Sequence, residues 1–260
     1  MQLRFGRRRP TPSAKKLRLG DYLVHAALPP QPQAINYTRP ARSGLSMILD
    51  NDRLGDCTAA GMMHVEDIFR ANAKSGLPPC TAEETVWFYS ATSGYVPDDP
   101  STDRGGDEIT VLNFARNHGL FADGSGKIAG YVAVDATNAT EVKTAIWLFG
   151  NVYFGVELPN DWVDPFPKSN GFVWDLTGAP NPENGHCFIG GGYDGRGVII
   201  DTWGMVGTLT WAACARYAAK ACQGELYTIL SPDWIAKASD RAPSGFDMVS
   251  LEADLSAIGT

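Results

Sequence analysis

The sequence predicts an α+β protein with two lobes: a helical N-terminal lobe, an antiparallel β-rich C-terminal lobe, and a cleft between them. Two observations carry this expectation. Helical signals crowd the first half, and segments rich in β-branched and aromatic residues crowd the second. The composition agrees. The chain has 260 residues, 44% hydrophobic and 20% charged, enough to bury a substantial core and unlike a disordered chain.

In order along the chain, residues 1–27 form a basic arm and residues 28–44 are proline-rich and extended. Thr58–Ala73 reads as a helix, with Ala60, Met63, Ile68 and Ala71 apolar and no proline inside. Thr81 followed by Glu84 is a capping-box signature before Val86–Ala91. Ser93–Gly106 is a loop rich in Asp, Pro and Gly. Asp107–Asn117 is a helix with His118 as C-terminal cap before Gly119, and Glu141–Leu148 is a shorter one. Asn151–Leu158, Cys187–Gly190, Val198–Thr202, Val206–Trp211 and Glu225–Leu230 read as strands. The expected division is an arm at 1–27, a helical lobe at 28–130 and a β-rich lobe at 131–260.

Charge is uneven. The chain carries 22 Lys and Arg against 29 Asp and Glu, a net −7. Arg4, Arg7, Arg8, Arg9, Lys15, Lys16 and Arg18 make the first 20 residues +7. The other 240 residues hold 15 basic and 29 acidic groups, a balance of −14. The arm therefore suits an acidic surface, either a partner protein or this protein's own body, and the acidic body argues against nucleic acid as main ligand. The arm is expected to act as an anchor and not as an inhibitor, being too short to fold and reach back. No apolar run approaches the roughly 20 residues a bilayer needs, so no membrane partner is expected. No secretory signal stands at the N-terminus. The five cysteines form no CxxC pair, which suits reduced thiols in the cytoplasm or, for a viral protein, in a virion.

Three motifs fail on their context. Gly190–Gly195 satisfies G-x-G-x-x-G, but a strand follows where a nucleotide site needs a helix; the glycines are expected to turn a hairpin. An EF-hand beginning at Asp99 would need Gly where Arg104 stands and Glu where Thr110 stands. His186 and Cys187 are adjacent, so on a strand they point to opposite faces and make a poor zinc pair. No metal and no cofactor is expected.

The informative segment is Asp50–Gly61, where Cys57 opens a helix behind the turn Leu54-Gly55-Asp56. A helix N-terminus stabilises a thiolate. The thiol needs a base. His64 lies seven residues along the same helix, about 10 Å away at 1.5 Å per residue, too far to pair with it. His25 lies in the arm and His118 ends a helix, which leaves His186, entering the strand-rich half. Asp201 ends the next strand and is placed to lie beside His186 and orient it.

With those residues in hand, the chain resembles the papain-like cysteine peptidases as a divergent member without their globular propeptide. Cys57 and His186 are 129 residues apart, near the family's ~130–150. His186-Cys187-Phe188-Ile189 leading to Gly192-Tyr193 is similar to the family's histidine strand. Asp201-Thr202-Trp203-Gly204 resembles its Asn-Ser-Trp-Gly. Leu28-Pro29…Ile35-Asn36-Tyr37 resembles its mature N-terminus, and Gly105-Gly106 resembles its substrate-binding glycine pair. The resemblance covers roughly residues 28–230. Around the nucleophile the chain departs from the family's Cys-Gly-Ser-Cys-Trp, with Leu54 for a disulfide cysteine and Asp56 beside the thiol. Asn51 stands where the family has its oxyanion glutamine.

The resemblance implies a papain-like fold and a thiol hydrolase cleaving peptide or amide bonds through Cys57, His186 and Asp201. Asn51 and the Cys57 N–H would hold the oxyanion. Gly105 and Gly106 would pair with the backbone of a peptide or protein substrate, and Trp203 would shield the His186 contact from water. Two other readings remain open at this stage. One is a structural or interaction module on the same scaffold, anchored by its arm, for example in a virion. The other keeps the triad but acts as an amidase or transferase.

Overall fold

The computed structural model describes residues 4–10, 17–28, 30–72, 76–239 and 245–258. Lys15, Lys16 and Ala73 lie outside the described residues.

The helical side is built first. After the two-residue strand β1 (Ile35–Asn36) and the single turn α1 (Arg42–Leu45) comes α2 (Cys57–Asn72), which starts at the cysteine itself. The Asp56 carbonyl accepts from the N–H groups of Ala59 and Ala60, so the chain enters the helix at Asp56. Thr81 caps α3 (Ala82–Ser93) through the full capping box, its hydroxyl accepting from the Glu84 N–H and the Glu84 carboxylate accepting from the Thr81 N–H. Asp107 caps α4 (Glu108–Asn117), and His118 is its C-cap. The long loop before α4 is pinned by Tyr89, whose hydroxyl donates to Asp103 and accepts from the Gly105 N–H.

The second half is a sheet with helices at its margins. After β2 (Gly130–Ala133) comes α5 (Ala139–Phe149), with Asn138 as its N-cap. β3 (Val152–Glu157), the single turn α6 (Asn160–Val163) and β4 (Val173–Trp174) follow. β5 (Gly185–Tyr193), β6 (Gly197–Thr202) and β7 (Met205–Thr210) are consecutive. The chain ends with α7 (Trp211–Tyr217), β8 (Glu225–Leu230), α8 (Pro232–Ser239) and α9 (Met248–Ile258). The strand order is β2-β8-β3-β5-β6-β7-β4, with β1 also paired to β5. Among the described strands all pairs are antiparallel except β4 with β7, so the sheet is mixed and mainly antiparallel. The glycines at 190–192 also differ from expectation. They lie inside β5, with a bulge between Gly190 and Gly192, and the turn falls after Tyr193.

This two-lobed α+β architecture is the one the sequence predicts. One apolar core lies between α2, α3, α4 and one sheet face, and includes Met62, Ile68, Phe88, Tyr153 and Ile189. The other lies on the opposite face and includes Val142, Phe149, Phe154, Trp174 and Phe188. β3 and β5 are buried at every residue because both faces are covered. Strand alternation then decides the site. Cys187 and Ile189 face α2, while His186 and Phe188 belong to the other face.

Candidate active site

Cys57 is fully buried at the N-terminus of α2. The backbones of Cys187 and Gly6 lie near enough to its sulfur to favour the thiolate. Burial outweighs them and pushes the thiol up to about 12. The adjoining Asp56 is also fully buried, and burial raises its carboxyl well above the usual range, which favours the neutral acid over a charge beside the thiol. Its one amide partner is Asn51, whose Nδ2 donates to Oδ1 at 2.9 Å. The Asn51 side chain thus holds Asp56 instead of facing an oxyanion position.

His186 is equally buried. Its ring stacks on Trp203 with centroids 3.7 Å apart and planes within 5°. Nε2 lies 2.8 Å from the Thr202 hydroxyl, and Nδ1 has no hydrogen-bond partner among the described residues. Desolvation lowers its pKa to about 3. Cys57 and His186 therefore stand as neutral thiol and neutral imidazole, without a hydrogen bond between them.

Asp201 does not lie on His186. Its carboxylate is 2.9 Å from Nδ1 of His64, whose Nε2 is 3.0 Å from the Met47 carbonyl. The reason is register. Asp201 sits opposite Ile189, not His186, and Ile189 belongs to the face that packs on α2, where His64 lies. Burial is the largest single influence on His64 and lowers its pKa, but the charge and hydrogen bond of Asp201, the charge of Asp67 and the Met47 carbonyl together outweigh it, and the net shift is upward. His64 is the residue that the sequence reading set aside. Seven residues is nearly two full turns, so Cys57 and His64 share one face of α2. Together with Asp201, Thr202, Cys187 and Trp203 they line a cavity of about 10 Å³. Helical phase was the available signal.

The arm supplies the largest correction. Residues 5–8 run through the cleft. The Gly106 N–H donates to the Gly6 carbonyl and the Arg8 N–H to the Gly106 carbonyl, both at 2.8 Å, a parallel bridge. On the other wall the Arg7 N–H donates to the Gly185 carbonyl at 3.0 Å. Phe5 sets its edge against His186 and Trp203, at 6.3 and 6.0 Å. The expectation that so short a segment cannot reach the cleft assumed that it must first fold. An extended strand needs only backbone partners, and Gly105-Gly106 provides them. Gly105 has φ +72°, and a Cβ there would stand 1.9 Å from the Gly6 carbonyl oxygen. The charges meet the protein's own acidic body. Arg7 pairs with Glu108 and Glu225, Arg8 with Asp107 and Arg9 with Glu157.

Among the described residues no cluster of His, Cys, Asp and Glu could hold a metal ion, and no helix is long and apolar enough to cross a membrane.

No protein-family model matches the chain, and no curated protein matches it. Solved structures do. Xylellain, a cysteine protease from Xylella fastidiosa, superposes with a TM-score of 0.65 at 15% identity, over 88% of this chain and 97% of that one. Procathepsin L 3 from the larval midgut of Tenebrio molitor gives 0.57 at 11% identity, over 84% and 75%. A cysteine protease from Carica candamarcensis, solved in complex with E-64, gives 0.51 at 14% identity, over 77% and 99%. The chain has the two-lobed fold of the papain-like cysteine proteases.

Proposed function

We propose that the chain is a cysteine peptidase whose cleft is closed by its own N-terminal arm. One observation carries the reading: an extended peptide is laid over a helix-start thiol, with backbone bonds to both walls of the cleft. A site that holds the arm this way is shaped to hold a peptide.

In the reaction, the Cys57 sulfur attacks the amide carbonyl and gives up its proton to His186. His186 then delivers that proton to the leaving amine, and water hydrolyses the thioester. Trp203 keeps the imidazole flat and dry, and Thr202 takes the orienting position expected of Asp201. The Cys57 N–H faces the developing oxyanion, and Asn51 joins it on leaving Asp56. The closed form is latent for an electrostatic reason. Buried under Phe5 and Gly6, neither sulfur nor imidazole supports a charge. Departure of the arm admits water and restores the charged pair.

The missing Cys57–His186 hydrogen bond favours a second reading, a non-catalytic scaffold of the same fold. Peptide hydrolysis decides between them. Protein carrying Gly6→Ala, which drives a Cβ to 1.8 Å from the Gly55 carbonyl oxygen and so dislodges the arm, should cleave a mixed peptide library. Adding Cys57→Ala should abolish cleavage. Hydrolysis in neither protein supports the scaffold, and hydrolysis that survives Cys57→Ala removes Cys57 as the nucleophile.

A further inference from the structure

The turn that carries the nucleophile and the segment that holds the peptide backbone hang from one side chain. Asp103 accepts from the Gly55 N–H with both carboxylate oxygens, each at 3.1 Å. Its Oδ1 also accepts from the Tyr89 hydroxyl at 2.6 Å, and that hydroxyl oxygen accepts from the Gly105 N–H at 2.9 Å. Gly55 lies two residues before Cys57, just ahead of the Asp56 carbonyl that opens α2. Gly105 precedes Gly106, whose N–H and carbonyl both bond the backbone of the arm at 2.8 Å. A relay of hydrogen bonds thus runs from Gly55 through Asp103 and Tyr89 to Gly105.

The relay is braced along its length. Asp103 closes the turn Pro100–Thr102, its N–H donating to the Pro100 carbonyl at 3.2 Å, and Asp99 caps the start of that turn. Tyr89 is fully buried in α3 and stacks on Tyr95 with centroids 5.2 Å apart. Position 55 leaves no room for a side chain, since a Cβ there would stand 2.9 Å from Asp103 Oδ1 and 3.6 Å from the Gly105 nitrogen. Gly55 and Gly105 are both buried, so their N–H groups need acceptors inside the protein. A carboxylate is the strong form of such an acceptor.

We propose that Asp103 and Tyr89 are positioning residues, which set the distance between the Cys57 sulfur and a peptide laid on Gly106. The inference deepens the peptidase reading and rests on it for the reaction, but not for the placement of the peptide. Both residues act through backbone, Asp103 through Gly55 and Tyr89 through Gly105. With the relay broken, a peptide still finds the Gly106 N–H and carbonyl, but its reacting carbon is no longer held over the sulfur. A misplacement of about 1 Å can cost on the order of a hundredfold in rate. The loss therefore falls on the rate of the bound peptide and not on its binding.

Two alkylating reagents test this in full-length Gly6→Ala protein, whose arm is dislodged. Iodoacetamide needs only the Cys57 thiol, whereas an acetylated trialanine chloromethyl ketone has a backbone to lay along Gly106. The ketone should label Cys57 of this parent faster than iodoacetamide does, with saturation. Adding Tyr89→Phe keeps the ring and removes the hydroxyl of the relay. The saturated ketone rate should then fall at least tenfold, while its half-saturating concentration and the iodoacetamide rate each stay within about twofold. Asp103→Ala should act alike, and the two together should cost less than the product of their separate losses, because they break one relay. Either variant carries the comparison if the other fails to fold. An unchanged ketone rate, a parent that shows no preference for the ketone, or an equal fall with both reagents overturns the proposal, the last by marking a merely structural role. A selective fall in the ketone rate, together with no peptide hydrolysis by the parent, leaves the relay standing and removes the peptidase reading instead.

Discussion

Two histidines lie at the same cleft, both buried, and the protein treats them oppositely. His64 faces the Asp201 carboxylate and its pKa rises; His186 faces the Thr202 hydroxyl and an indole, and its pKa falls to about 3. Desolvation disfavours the charged ring at both sites. The Asp201 carboxylate at 2.9 Å, helped by Asp67 and the Met47 carbonyl, more than offsets it at one, and nothing offsets it at the other. The ion pair is thus lodged behind the cleft, where it ties α2 to β6, while the imidazole in the cleft is left uncharged.

That contrast is broken most severely at Asp201. Asp201→Ala strands a buried His64 and should cost about 3–5 kcal/mol, as loss of one partner from a buried pair does. Thermal or urea unfolding measures it. A loss under 1 kcal/mol would mean that the pair contributes little.

The two rings should also oppose each other in pH dependence. For His64 the folded pKa lies above the unfolded 6.5, so its contribution is complete below pH 6.5 and lost as pH rises through the folded value. For His186 the folded pKa lies below, so the unfolded chain takes up a proton that the native state refuses. Stability therefore falls as pH drops from 6.5 toward about 3, by several kcal/mol at the acid end. Relative to wild type, His186→Gln should flatten the acid side of the stability curve and His64→Gln the alkaline side. Melting temperatures across pH 4–9 check both, and the same flattening from both variants would erase the contrast.

Asn51→Ala is milder. It removes the amide that Asp56 accepts from and should cost about 1–3 kcal/mol in folding. A large loss of peptide turnover at unchanged stability would instead place Asn51 at the oxyanion. Smallest of all, Arg9→Ala removes a pair in which the guanidinium is more than half exposed, and should leave the melting temperature essentially unchanged at 0.15 M salt.

Much of this was legible in the residues. Cys57 opening a helix, the Thr81–Glu84 box, the strand series and the lobe order all follow from local pattern. Helix faces and caps are short-range properties that the chain states directly. The partner of Asp201 was not legible, because it depends on the β5–β6 register and on the phase of α2, both set by packing. The arm was missed for another reason. A run of arginines states that an acidic surface is wanted but not where it lies, and only the tertiary fold brings Glu108 of α4 and Glu225 of β8 to one point, 117 residues apart in sequence, to receive Arg7.

The central claim is that the arm closes the cleft over a competent thiol. The direct measurement is the rate at which iodoacetamide alkylates Cys57 at pH 6 in wild-type protein and in Gly6→Ala, read by peptide mass mapping. Cys222, which is partly exposed, serves as internal reference. An ordinary thiol of pKa about 8.5 is almost wholly protonated at pH 6. The account predicts slow labelling of Cys57 in the wild type, at least tenfold faster labelling in Gly6→Ala, and an unchanged rate at Cys222. Equal Cys57 rates in the two proteins, or a Gly6→Ala rate no faster than that of Cys222, would contradict it.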